Sequence, residues 1–155
     1  MILESKRVQN CNYQRPGQFE ETRFEKIHNV VLKNSTEGSL IVAKEISSLI
    51  RKKQASNETC VLGLATGSSP IKVYEELVRM HKEEGLCFSN VITFNLDEYY
   101  PMNKENTQSY HYFMHEHLFN HINISRENIH IPDGEIKAED IQSYCLDFEE
   151  KIKAC

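Results

Sequence analysis

Apolar residues along this chain fall into short runs and spaced stripes, separated by polar stretches marked with glycine and proline. Residues 1–28 are polar and irregular, broken at Pro16-Gly17, and read as an amino-terminal extension ahead of one α/β domain over 29–155. Val30-Val31-Leu32 is a short run suited to a strand. Asn34-Ser35-Thr36 then offers helix-start residues before Leu40, Ile41, Ala43, Ile46, Leu49 and Ile50, whose spacing predicts an amphipathic helix ending near Lys53. Cys60-Val61-Leu62-Gly63-Leu64 lacks polar alternation, as expected of a strand covered on both faces. After Ala65-Thr66-Gly67-Ser68-Ser69, Pro70 suits the first turn of a helix, with Ser69 placed to cap it. Val73, Tyr74, Leu77 and Val78 repeat at helical spacing up to Gly85. Val91 to Leu96 is the next covered strand, running into Asp97-Glu98-Tyr99-Tyr100-Pro101. Tyr110, Phe113, Met114, Leu118 and Ile122 mark another helix, and Ile129-His130-Ile131 a short strand closed by the turn Pro132-Asp133-Gly134. Ile141, Tyr144, Cys145, Phe148 and Ile152 give a last amphipathic helix.

Strands alternating with helices build a mostly parallel sheet with right-handed crossovers and helices on its faces, a three-layer, Rossmann-like α/β fold. Ligands then belong at the carboxyl ends of the strands. The last helix ends where another strand is the natural successor, so the sequence reads as the first half of a larger domain. At 155 residues the chain has room for one core. Its 18 basic and 23 acidic side chains leave a net charge of -5, with no basic run to follow a phosphate backbone, so nucleic acid is not the expected partner. No stretch has the length and apolarity of a membrane span, and MILESKRVQN lacks the apolar middle of a secretory signal; a cytoplasmic protein without a membrane partner is expected. Cys11, Cys60, Cys87, Cys145 and Cys155 are scattered, odd in number and never spaced CxxC, which fits reduced thiols.

Two loops could carry chemistry. Gly63 to Pro70 brings glycine, hydroxyls and a helix start to one point. Backbone N–H groups and the helix dipole attract a phosphate there, Gly67 lets the backbone approach, and Thr66, Ser68 and Ser69 add donors. The loop is neither a Walker loop nor GxGxxG, so a single phosphate ester fits better than a nucleotide; a plain serine-capped turn is the alternative. Asp97 and Glu98, at the mouth of a strand, should point to opposite sides, and one of them, partly desolvated, is placed to take a proton from a bound substrate. Its alternative is a capping or ion-paired acid. His111 and His115, and His117 and His121, are spaced to share helix faces, yet the zincin pattern is absent and structural histidines are the better reading; no metal is expected. No Ser-His-Asp or Cys-His arrangement supports a nucleophile, and Pro132-Asp133-Gly134 reads as a loop closure.

Three motifs in order, Gly63-Leu64-Ala65-Thr66-Gly67-Ser68-Ser69-Pro70, Phe94-Asn95-Leu96-Asp97-Glu98-Tyr99, and Ser109-Tyr110 with Phe113-Met114-His115, resemble glucosamine-6-phosphate deaminase in one register from about Val30 to Lys153. The resemblance implies that Thr66, Gly67, Ser68 and Ser69 bind the sugar phosphate. It also implies that Asp97 shuttles a proton between C2 and C1, that Glu98 and Tyr110 support the site, and that no cofactor takes part. The product would be fructose 6-phosphate, with ammonia released. Family members continue into a glycine-rich segment bearing an aspartate, a ring-opening histidine and a glutamate, then basic residues that complete the phosphate site. None of these lies within 1–155, so little or no activity is expected of these residues alone. A homo-oligomer remains open. The alternatives are a non-catalytic sugar-phosphate sensor, although residues 1–35 show no helix-turn-helix, and a 6-phosphogluconolactonase-like hydrolase, against which the Asp97-Glu98-Tyr99 wording speaks.

Overall fold

A computed structural model describes residues 30–155; the expected extension over 1–28 lies outside the described residues. The chain divides into two units, Met1–Gly38 and Ser39–Cys155. In the first, Val30 to Leu32 form no strand, and Val30 and Val31 are exposed. Three residues make few ladder bonds, and the chain is committed at once to a helix entry. Asn34 Oδ1 accepts from the Glu37 N–H at 2.9 Å, and Glu37 Oε2 accepts from the Lys33 N–H at 3.2 Å. These side-chain bonds satisfy amides that the first helical turn leaves unpaired. The helix α1, Ser35–Ala55, follows from this cap as its start residues predict.

Within the second unit, the stripe of α1 that is buried runs through Ser39, Ala43, Ser47 and Ile50, while Leu40 and Leu49 are exposed. Small side chains set this face: they allow close packing, and the Ser47 hydroxyl satisfies itself on the Lys44 carbonyl at 2.9 Å. Asn57, in the left-handed region at φ 55°, turns the chain toward β1, Cys60–Leu64. Then come α2, Ile71–Glu84, and β2, Val91–Asn95. Gly85, at φ 69°, ends α2 with its N–H on the Met80 carbonyl, and Tyr74, Leu77 and Met80 are the helix's buried residues.

The short helix α3 spans Tyr110–His117, and the strand β3 Ile129–His130. The last helix, α4, spans Ile141–Lys153. All pairings are parallel, in the order β1-β2-β3, with Leu64 opposite Asn95 and Phe94 opposite His130. The core gathers Ala43, Ile50, Cys60, Leu77, Leu86, Phe88, Val91 and Met114, all nearly excluded from solvent. The sheet and its helices give the expected Rossmann-like α/β fold.

Three expectations are corrected. Coverage on both faces holds for β2 but not for β1, where Val61 and Gly63 are exposed. On that face Phe148 of α4 packs edge-on against Phe94 of β2 at 5.8 Å, which leaves the neighbouring positions of β1 open. The helix expected to reach Ile122 stops at His117, and a 3-10 turn, Phe119–His121, follows. Burying Leu118 and Phe119 side by side draws the chain out of α-helical geometry, so His117 and His121 share no helix face. In α4, Ile141, Tyr144 and Phe148 are half-buried, whereas Cys145 and Ile152 are exposed, with no neighbour covering them among the described residues.

Candidate functional site

The pairing of Leu64 with Asn95 brings the loops after β1 and β2 out of the same end of the sheet. Neighbouring strands lie about 4.8 Å apart, so Thr66 and Asp97, each two residues past its strand, begin from adjacent positions.

The entry to the first loop is fixed on two sides. The Tyr74 hydroxyl of α2 donates to the Ala65 carbonyl, and Asn95 Nδ2 donates to the Leu64 carbonyl at 3.2 Å. Burial pushes the Tyr74 phenol up to about 12. Gly67 sits at φ +101°, which L side chains rarely adopt, and no atom lies within 4 Å of where its Cβ would stand. The glycine is therefore required by backbone conformation, and the space over it is open. Thr66 is half-buried, while Ser68 and Ser69 are exposed. Ser69 is not the cap. Pro70 occupies the N-cap position in helical conformation, its carbonyl accepts from the Val73 and Tyr74 N–H groups, and no side chain caps the helix. Proline at that point already carries the helical φ, so the helix entry needs no serine bond.

The second strand ends at Asn95, one residue short of expectation, so Asp97 and Glu98 lie in a loop and not on a strand. Their surroundings still differ sharply. Glu98 is half-buried: its Oε1 accepts from the Tyr99 N–H at 2.9 Å and the Tyr110 N–H at 2.8 Å, and its Oε2 from the His111 N–H at 2.8 Å. Ser109 Oγ takes the Tyr112 N–H at 2.9 Å, so the first three amides of α3 are all satisfied. A negative carboxylate at a helix N-terminus is also favoured by the dipole. Asp97 is exposed, against the partial desolvation expected of it, and no hydrogen bond or ion pair holds its carboxylate among the described residues. Beside it, the Tyr110 hydroxyl donates to the Tyr99 hydroxyl at 3.2 Å, and the rings tilt together at 4.7 Å. That hydrogen bond first, and then the charges of Tyr110, Asp97 and Glu98, push the Tyr99 phenol up.

The turn Pro132-Asp133-Gly134 is more than a closure. Gly134 is buried, and a Cβ there would stand 2.6 Å from both the Tyr99 and the Met102 carbonyl oxygens. The Met102 N–H donates to the Gly134 carbonyl at 2.8 Å, and Asn103 Nδ2 to Glu135 Oε1 at 2.9 Å. This turn props the segment that follows Asp97 and Glu98. Sequence reading missed three supports, Tyr74, Asn95 and Gly134. Only Asn95 left a signal, an amide closing a mostly apolar strand; its side chain is buried and its Oδ1 has no partner.

The histidines do not gather with the two loops as a cation site. The rings of His111 and His115 tilt together at 4.5 Å, His117 is tilted against Phe113 at 4.4 Å, and His121 Nε2 meets the Glu116 carbonyl at 2.8 Å. Among the described residues no three His, Cys, Asp or Glu side chains converge to hold a metal ion, and no helix is long and apolar enough to cross a membrane.

A parallel sheet with an open glycine-hydroxyl loop after one strand and an unpaired carboxylate after the next defines a Rossmann-like α/β protein whose two loops leave one sheet end. Comparison with known proteins is narrower. The chain belongs to the family described as glucosamine-6-phosphate isomerases/6-phosphogluconolactonase, whose sequence model matches residues 34–155. It is 47% identical over 112 residues to a glucosamine-6-phosphate deaminase of Thermoanaerobacter sp., covering 72% of this chain and 44% of that protein. Glucosamine-6-phosphate deaminase 2 of Giardia intestinalis is 48% identical over 124 residues, covering 79% and 44%. Over 151 residues the chain is 42% identical to a glucosamine-6-phosphate deaminase-like protein of Bacteroides thetaiotaomicron, covering 96% of this chain and 23% of that one. Among solved structures, a monomeric glucosamine-6-phosphate deaminase superposes with a TM-score of 0.71 at 35% identity, covering 78% of this chain and 48% of that one. The chain thus spans about half the length of most of these relatives, or less.

Proposed function

We propose that residues 30–155 are the amino-terminal part of a glucosamine-6-phosphate deaminase, a C–N hydrolase that converts glucosamine 6-phosphate and water to fructose 6-phosphate and ammonia. In this reading the amides and hydroxyls of Thr66, Gly67, Ser68 and Ser69 bind the phosphate. With the sugar in its chain form, Asp97 takes the proton from C2 and returns it to C1. This leaves an imine at C2, which water hydrolyses, releasing ammonia. Glu98, held by three amides, and Tyr110, whose N–H is one of them, fix the loop from which Asp97 acts. The observation that most supports the reading is the register of Leu64 with Asn95, from which an open amide loop and an unpaired carboxylate leave side by side. A phosphate anchor beside a free base is what proton transfer on a sugar phosphate needs, because holding the substrate in place removes much of the entropic barrier.

Residues 1–155 on their own are proposed to bind the sugar phosphate and to turn it over little. The resemblance assigns ring opening and the charged phosphate clamp to residues that this stretch does not contain. The lactonase alternative is less supported: the relatives at 47% and 48% identity are named deaminases, while a 6-phosphogluconolactonase structure from Plasmodium vivax is 26% identical.

Calorimetric titration tests the binding half. Glucosamine 6-phosphate should release heat where glucosamine does not, and Thr66→Ala with Ser68→Ala should weaken the response; equal heats for both sugars would sink the phosphate assignment. For the chemistry, residues 30–155 would be joined to the remaining part of the Thermoanaerobacter relative, and fructose 6-phosphate and ammonia assayed. Asp97→Asn should abolish most turnover with binding retained, and undiminished turnover would remove Asp97 as the base.

A further inference from the structure

A cluster of basic groups lies at the other edge of the sheet. A cavity of about 430 Å³ opens beside β3, lined by Lys104, His111, His115, Arg126, Ile129 and Ile131. The strand β2 separates β3 from β1, so this cavity and the Gly67 loop belong to opposite edges. Its volume lies within the roughly 300–1,000 Å³ of small-molecule sites.

The chemistry of the lining is one-sided. Lys104 lies in the loop before α3 and Arg126 opens the 3-10 turn, Arg126–Asn128, that precedes β3. Both are exposed, and among the described residues neither side chain makes an ion pair or a hydrogen bond. His111 and His115, one turn apart on α3, are half-buried and present imidazoles tilted against each other at 4.5 Å. His115 Nδ1 meets Asn120 Oδ1 at 3.2 Å, while neither ring nitrogen of His111 has a partner among the described residues. No carboxylate lines the cavity. Glu105 and Glu98 contribute field nearby, and Glu98 is already engaged by backbone amides. Burial, and then the neighbouring His115 and Lys104, hold the His111 imidazole below its ordinary range. Lys104 and Arg126 thus line the same cavity as this half-buried ring, with no carboxylate among its lining residues to neutralise them. Ile129 and Ile131 supply an apolar wall.

We propose that this cavity is a second anion site, distinct from the Thr66–Ser69 loop, which binds a small phosphate monoester through Lys104, Arg126 and His111 and rests its uncharged body on Ile129 and Ile131. A phosphate monoester suits the donors because its peripheral oxygens can accept from an ammonium, a guanidinium fork and an imidazole together, in charge-assisted bonds. The inference stands independently of the deaminase reading, since none of the side chains it uses is given a role there.

The test is a nuclear magnetic resonance titration of the nitrogen-labelled chain, following the ring signals of His111 and His115. Inorganic phosphate and phenyl phosphate are the probes, with sodium chloride at matched ionic strength as the control. Both histidines should shift saturably with either phosphate, and phenyl phosphate should bind more tightly because it also covers the isoleucines. Lys104→Ala with Arg126→Ala should weaken both probes by about tenfold, since each removes an exposed charge-assisted bond. Thr66→Ala with Ser68→Ala should leave these shifts unchanged. Ring signals that stay still, move equally with chloride, or respond identically in the Lys104/Arg126 double variant would overturn the proposal, as would loss of the shifts in the Thr66/Ser68 variant.

Discussion

Gly134→Ala puts the support of the Asp97 loop to a direct test. A methyl group at this position would sit 2.6 Å from two backbone oxygens, those of Tyr99 and Met102, and 2.9 Å from the Met102 Cβ. Ordinary contact begins near 3.4 Å, and none of these neighbours is the tip of a flexible side chain, so the backbone itself must give way. Overpacking of this kind costs about 1–3 kcal/mol. Moving the two segments apart also strains the 2.8 Å hydrogen bond from the Met102 N–H to the Gly134 carbonyl, worth about 1 kcal/mol. Together these amount to roughly 2–4 kcal/mol, which lowers the melting temperature by about 5–15 °C for a chain of this size. Urea unfolding at constant m-value measures the loss, and hydrogen exchange at the Met102 amide locates it. Gly67→Ala is the control of opposite kind: a strained φ with no atom in the way, costing about 1–3 kcal/mol and leaving Met102 exchange alone. A Gly134→Ala chain within about 0.5 kcal/mol of the parent, or with unaltered Met102 exchange, would refute the claim that this turn braces the loop.

Glu98→Ala removes the acceptor of three amides and should cost about 2 kcal/mol, with faster exchange at Tyr110 and His111; Glu98→Gln, which keeps acceptor oxygen but not charge, should recover part of it. Tyr74→Phe should cost about 1 kcal/mol by leaving the Ala65 carbonyl without its donor. Because the folded Tyr74 pKa is raised, its contribution is complete below the unfolded phenol value of about 10 and is lost as pH rises toward about 12, so the variant should flatten alkaline unfolding curves. His111 and His130 are both held low in the fold, chiefly by burial. Their neutral forms add stability above the unfolded value of about 6.5, which is lost as pH falls through their folded values. Urea midpoints should therefore drop between neutral and mildly acid pH, and His130→Gln, at the ring stacked on Phe94 at 4.6 Å, should shrink the drop.

What the sequence made legible was whatever depends on period and punctuation. The apolar runs at Cys60–Leu64 and Val91–Asn95 fall in strands, and Asn34 and Gly85 bound helices, because each acts through bonds within a few residues of itself. What it concealed depends on residues far apart in the chain. Nothing local in Gly134 reveals that two carbonyls from 99 and 102 lie against it, and nothing in Tyr74 reveals that its hydroxyl reaches back to Ala65. The split between Asp97 and Glu98 illustrates both sides. Period-two alternation separated them for the wrong reason, since neither is on a strand; they differ because Glu98 meets the Tyr99 amide and two free amides at the start of α3, and Asp97 meets none. The same contacts give the separation its use. A carboxylate that accepts three backbone bonds is poorly placed to move protons, and its neighbour, one residue away, keeps both oxygens free of such bonds among the described residues. Sequence can nominate the pair of acids. Only the amides of a helix some dozen residues downstream decide which of them is held and which, in the proposed reading, is left to act.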